Sequence, residues 1–269
     1  MRIASWGHAA FAAAMIGLGI VTLLQGNFAS VWDPVPDGAP ARMALVYFSA
    51  FISLACGLGL LWQRTAILAA RVLAAVLMLW FLVFRVPDMI RAPSLGVFFA
   101  ACDTAVMLAA AWILYTWFAT DWDRANLGSI AGDTGVRIAQ VLFGLSLINY
   151  GVAHFLDVKD TVSLEPAWLP WHTFWAYFFG CTFIAAAVGV LIGVWARLAA
   201  ALATVQIGMF TLLVWVPIMA AGSKNPFFKS ETILSAALTA GAWMVADFYR
   251  GTPWLGVGKR QRPGDSMSD

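Results

Sequence analysis

Asp103 stands inside an apolar run of residues 96–118, about seven residues from its start. At about 1.5 Å per residue that is roughly 10 Å along a helix. An ionisable group at such depth in apolar surroundings is costly. It reads either as a proton carrier or ligand anchor, or as half of a buried ion pair with Arg85 or Arg91, which end the preceding apolar run. His154 closes another run and His172 opens the next, with Asp157, Asp160 and Glu165 between them. Two histidines beside carboxylates could relay protons or ligate a metal, and two facing histidines could bind haem. Regular ligand spacing and a third histidine near these two are lacking, so no metal ligands are assigned, and histidines at helix ends otherwise cap carbonyls or pack under loops. Glu231 stands at the start of the last run, and Asn27 ends the first. Asp247, beside Arg250, reads as solvated, and His8 as structural.

These groups are rare exceptions in a chain that is 62% hydrophobic and only 11% charged over 269 residues, with mean hydropathy +0.81. Soluble domains run nearer 45–50% apolar and about 25% charged. The net charge of +2 gives no reason to expect nucleic acid as a partner. Cys56, Cys102 and Cys181 all lie in apolar runs without a CxxC spacing, so they read as small hydrophobes. No phosphate-binding glycine loop, nucleophile elbow, HExxH or dinucleotide fingerprint is present.

A helix crossing a bilayer needs about 20 mainly apolar residues. Eight segments qualify, near 8–28, 43–62, 66–86, 96–118, 135–155, 173–194, 197–218 and 230–249. The first resembles a signal peptide but lacks a good cleavage site, so it counts as a helix. Arg2, Arg64, Arg71, Arg124, Arg137, Arg197, Arg250, Lys259, Arg260 and Arg262 fall on one side, outnumbering the basic residues opposite. Both termini are therefore expected in the cytoplasm, with the Lys259–Arg262 tail beside anionic lipid.

The sequence also matches itself. Gly17-Leu18 and Asn27-Phe28 align at one constant offset with Gly144-Leu145 and His154-Phe155. Tyr47-Phe48, Gly59 and Val86-Pro87 align at another with Tyr177-Phe178, Gly189 and Val216-Pro217. Two four-helix units, each with an even number of crossings, would be parallel repeats. The expected architecture is an all-α membrane protein: a first unit at 1–119, a cytoplasmic linker at 120–135, a second unit at 136–250 and a disordered tail at 251–269. The loops 29–40 and 156–171, rich in Pro and Trp, are expected to lie at the membrane interface.

The second half reads Gly151-Val-Ala-His-Phe155, Pro166-Ala-Trp-Leu-Pro170, Val188-Gly189-Val-Leu191 and Ala196-Arg197-Leu-Ala-Ala200. This resembles the DoxX-like four-helix membrane proteins over most of 137–249. The first half, with Gly57-Leu-Gly-Leu-Leu61, Gln63-Arg64-Thr65 and Arg71, is similar but more degenerate. The resemblance implies a four-helix bundle more firmly than a reaction. It also implies a membrane partner of redox systems, as in the subunit of thiosulfate:quinone oxidoreductase. The family often ends its first helix on Lys or His, where this chain has His154 and Asn27. The family's acidic residue in the second helix is absent.

Asp103, His154, His172, Asn27, Arg85 and Glu231 all fall toward the outer leaflet. A quinone- or lipid-like ligand on that side is the expected occupant, bound by a redox-linked subunit of a bacterial inner membrane. The alternatives are a non-enzymatic accessory subunit packed against a membrane or redox partner protein, and a small-molecule transporter.

Overall fold

The computed structural model describes residues 4–36 and 38–257. Seven helices are long and apolar enough to cross a membrane. They are α1 (Trp6–Gln25), α2 (Arg42–Leu61), α3 (Ala66–Arg91), α4 (Leu95–Phe118), α6 (Asp133–Leu156), α8 (His172–Ile192) and α9 (Ala196–Ala220). The expected eighth segment forms α10 (Pro226–Phe248), a 23-residue helix that packs with α1, α4 and α9 and is not among these seven. Two short helices, α5 (Asp121–Leu127) and α7 (Val158–Leu164), lie in connections. Nothing described is a strand beyond an isolated bridge between Val194 and Val257.

The long helices close a ring in which α1, α2, α3, α4, α6, α8, α9 and α10 each touch the next, and α10 touches α1. Inside it, α4 also meets α10. This places α4 among α3, α6 and α10, and it is the most buried of the seven. A helix apolar all round suits such a position. The close pairs rest on glycine. A Cβ at Gly57 would stand 2.9 Å from the Ala12 carbonyl of α1, and one at Gly151 would stand 2.8 Å from the Gly180 carbonyl of α8. Backbones come this near only where a side chain is missing.

Two helices widen before a proline. In α3 the Val86 N–H donates to the Phe81 carbonyl, and in α9 the Val216 N–H donates to the Thr211 carbonyl. These π turns, Phe81–Arg85 and Thr211–Trp215, lie 130 residues apart and precede Pro87 and Pro217. A proline ring clashes with the carbonyl four residues back and supplies no N–H, and one wide turn relieves both. Such turns recur at functional positions, and this one aims the buried Arg85 inward.

The linker is not an open loop. Thr120 and Asp123 form a capping box at the start of α5. Asp123 is buried and also accepts from Arg71 of α3 and from the Tyr115 hydroxyl of α4 at 3.2 Å. Burial opposes its charge, but the hydrogen bonds from Thr120 and Tyr115, with Arg71 alongside, hold its carboxyl below the usual carboxylate range. Asp247, expected in solvent, is buried and accepts the Gly7 N–H at 2.8 Å while pairing with Arg250 at 3.0 Å. The tail is ordered further than expected: the Trp195 N–H donates to the Gly256 carbonyl at 2.9 Å, and Arg197 lies 4.0 Å over the Trp254 ring. Arg2, Lys259, Arg260 and Arg262 lie outside the described residues.

Candidate functional site

The loop after α1 folds into the bundle, contrary to the expectation of an interfacial segment. Phe28, Val31, Trp32 and Val35 are buried. The Trp32 indole donates to Ser53 Oγ of α2 at 3.0 Å, and its carbonyl accepts from the Trp80 indole at 2.8 Å. The two rings meet edge to face at 5.1 Å. In the second loop, by contrast, Trp168 and Trp171 are exposed. Hydropathy cannot separate these cases, because a tryptophan suits both a core and an interface.

Arg85 holds the inserted loop. Its guanidinium donates to the Ser30 carbonyl at 2.8 Å and to Thr104 Oγ1 at 2.9 Å, and Thr104 donates in turn to the Val31 carbonyl at 2.9 Å. The expected ion pair between Arg85 and Asp103 is therefore not the contact that forms. Asp103 instead accepts from the Tyr150 hydroxyl of α6 at 2.7 Å. The reason is directional. Asp103 and Thr104 are neighbours on α4 and point to different sides, so Thr104 meets α3 and its loop while Asp103 meets α6. Arg85 and Glu231 remain within electrostatic reach of Asp103.

One turn beyond Tyr150, His154 is buried against Phe183 of α8 and Phe210 of α9, with ring centroids 5.6 Å away in both cases. Its Nδ1 lies 2.8 Å from the Tyr150 carbonyl. A carbonyl only accepts, so Nδ1 carries the proton and Nε2 of the neutral ring is an acceptor. That Nε2 is buried and has no hydrogen-bond partner among the described residues. Buried polar atoms are nearly always bonded, so this nitrogen is the exception the site offers.

Asp103, Arg85 and His154 are thus joined through Thr104 and Tyr150, neither of which was singled out from the sequence. Tyrosine counts as apolar in a hydropathy profile, and threonine is common in membrane helices. Glu231 is half-buried nearby. Asn27 and His172 are not part of the cluster. Asn27 is exposed and accepts from Arg42 at 3.1 Å. His172 faces Glu165 at 4.0 Å, whereas His154 packs against Phe183 and Phe210. Burial raises the Glu165 carboxyl above its usual range, and His172 only partly opposes this. Among the described residues no three His, Cys, Asp or Glu side chains stand close enough to hold a metal ion.

Two cavities accompany the bundle. A small one of about 10 Å³ lies beside Ser30 between α1 and α10, and a groove of about 500 Å³ lies between α9 and α10. Neither is lined by Asp103 or His154. Comparison with protein-family models, with curated proteins and with solved structures finds no match.

Proposed function

We propose that the protein is a multi-pass subunit of a bacterial inner membrane, built as two parallel DoxX-like four-helix units with both termini cytoplasmic. We further propose that it binds a quinol-type ligand in the outer half of the second unit. The two-unit reading is supported by the proline-linked π turns 130 residues apart and by the closed ring, in which each unit's last helix meets the other's first. Counting α10 as the eighth crossing makes each unit even, and the excess of Lys and Arg on the linker side favours that side as cytoplasmic.

The ligand reading rests on the buried, unpartnered His154 Nε2. An acceptor nitrogen flanked by Phe183 and Phe210 suits a flat aromatic ring bearing a hydroxyl, which is what a quinol presents. Tyr150 packs between His154 and Asp103: its main-chain carbonyl accepts from His154 Nδ1 and its hydroxyl donates to Asp103, which fixes the orientation of both groups. The test is equilibrium binding of a short-chain quinol to detergent-purified protein. Binding should be lost in His154→Ala and weakened in Asp103→Asn; wild-type affinity in both variants would sink the reading.

A second reading, an accessory subunit packed against a larger membrane complex, is favoured by one surface. Phe174, Tyr177 and Phe178 on α8 are exposed, and Phe174 stacks with Phe178 at 5.9 Å. A partner retained in mild detergent, and lost when Phe174 and Phe178 become alanine, would select it.

A further inference from the structure

The groove between α9 and α10 is not lined by His154 and differs from that residue's surroundings in chemistry. Its walls are mainly apolar, with Val205, Gly208 and Leu212 on one side and Trp243 on the other. Arg197 and Arg250 stand with them at the end of the bundle that carries the linker. From Arg197 to Leu212 the helix rises about 22 Å, more than the ~15 Å depth of one hydrocarbon leaflet. A guest whose charged end meets the arginines would therefore carry its tail to the bilayer midplane.

The mouth is cationic, since two arginines face a single carboxylate, Asp247. That carboxylate is already engaged by the Gly7 N–H and by Arg250, so it is poorly placed to receive an ammonium group. Arg197 is held from below by the Trp254 ring at 4.0 Å and donates to the Thr252 carbonyl at 2.9 Å. A guanidinium fixed in this way keeps N–H donors in the fork geometry that suits phosphate oxygens. Basic pockets between membrane helices on the cytoplasmic side take anionic headgroups.

We propose that the groove is a binding site for an anionic phospholipid, with its phosphate at Arg197 and Arg250 and an acyl chain between α9 and α10. The site stands independently of any quinol at His154. The full-length protein in nanodiscs of mixed phosphatidylglycerol and phosphatidylcholine, with retained lipids counted by native mass spectrometry, tests it. Phosphatidylglycerol should be enriched about fivefold over its share of the bilayer, the factor that one net surface cation supplies. Arg250→Gln should abolish the enrichment, and Arg250→Lys should keep most of it. Val205→Trp, at a position already exposed, should block the groove and lower retained phosphatidylglycerol with both arginines present. No enrichment in the wild type overturns the proposal, as does enrichment that survives Arg250→Gln or Val205→Trp.

Discussion

Tyr150 donates its hydroxyl to Asp103 across the seam between α4 and α6 at 2.7 Å, and both side chains are buried. The bond ties the last helix of the first half to the first helix of the second. Tyr150→Phe leaves the carboxyl without its donor and should cost about 1–2 kcal/mol, the range for hydrogen bonds between membrane helices. Asp103→Asn keeps an acceptor for the hydroxyl and should cost less. Thermal unfolding in detergent orders the two, and an equal loss would mean that the bond is not the source of the effect.

Arg85 satisfies the loop's Ser30 carbonyl and Thr104 together. Arg85→Met removes the cation that holds Ser30–Trp32 inside the bundle, at a cost of about 3 kcal/mol. Limited proteolysis should then cut within residues 29–40 faster than in the wild type. Protection equal to the wild type would show that the Trp32 contacts suffice alone.

His154→Phe separates ligand binding from packing. Its ring would still fit between Phe183 and Phe210, and only the bond to the Tyr150 carbonyl is lost. Stability should change by less than about 1 kcal/mol while quinol binding disappears. A collapse in unfolding temperature would mark His154 as structural.

Asp123 gives the linker a pH dependence. Its folded pKa lies below the ordinary carboxylate value, so its contribution to stability is complete above the unfolded value and fades as pH falls through the folded one. Acid should therefore loosen the α5 connection, and the pH profile of Asp123→Asn should be flatter than the wild type's below about pH 4. Identical profiles would remove Asp123 as the cause.

Gly57→Leu should cost about 2 kcal/mol or more, because even a Cβ would meet Ala12 and Ile16 of α1 at under 3 Å. Gly17→Leu, where nothing lies within 4 Å, should be tolerated. Paired unfolding measurements compare the two sites directly.

The spans of α1 to α4, α6, α8 and α9 are legible because lipid demands long apolar runs, and the segment at 230–249 forms the helix α10. The site was legible only in part. Asp103, Arg85 and His154 stand out as ionisable residues in apolar runs, but the sequence suggests Arg85 or Arg91 as a partner of Asp103, since both end the preceding apolar run. Its actual partner, Tyr150, is 47 residues away and reads as hydrophobic. Asp247 looked solvated because it ends a helix beside Arg250, and nothing local revealed that the Gly7 N–H would cover it. The inward turn of Trp32 was hidden for the same reason: its partners Ser53 and Trp80 belong to other helices.

The separation of Asp103 from Tyr150 also bears on how the chain is made. Asp103 is synthesised 47 residues ahead of the residue that quiets it. A nascent chain stopped between the two presents a carboxyl with no donor from α6, on a helix that the finished fold hides from lipid. A first half made alone therefore lacks the hydroxyl that Asp103 meets in the finished fold.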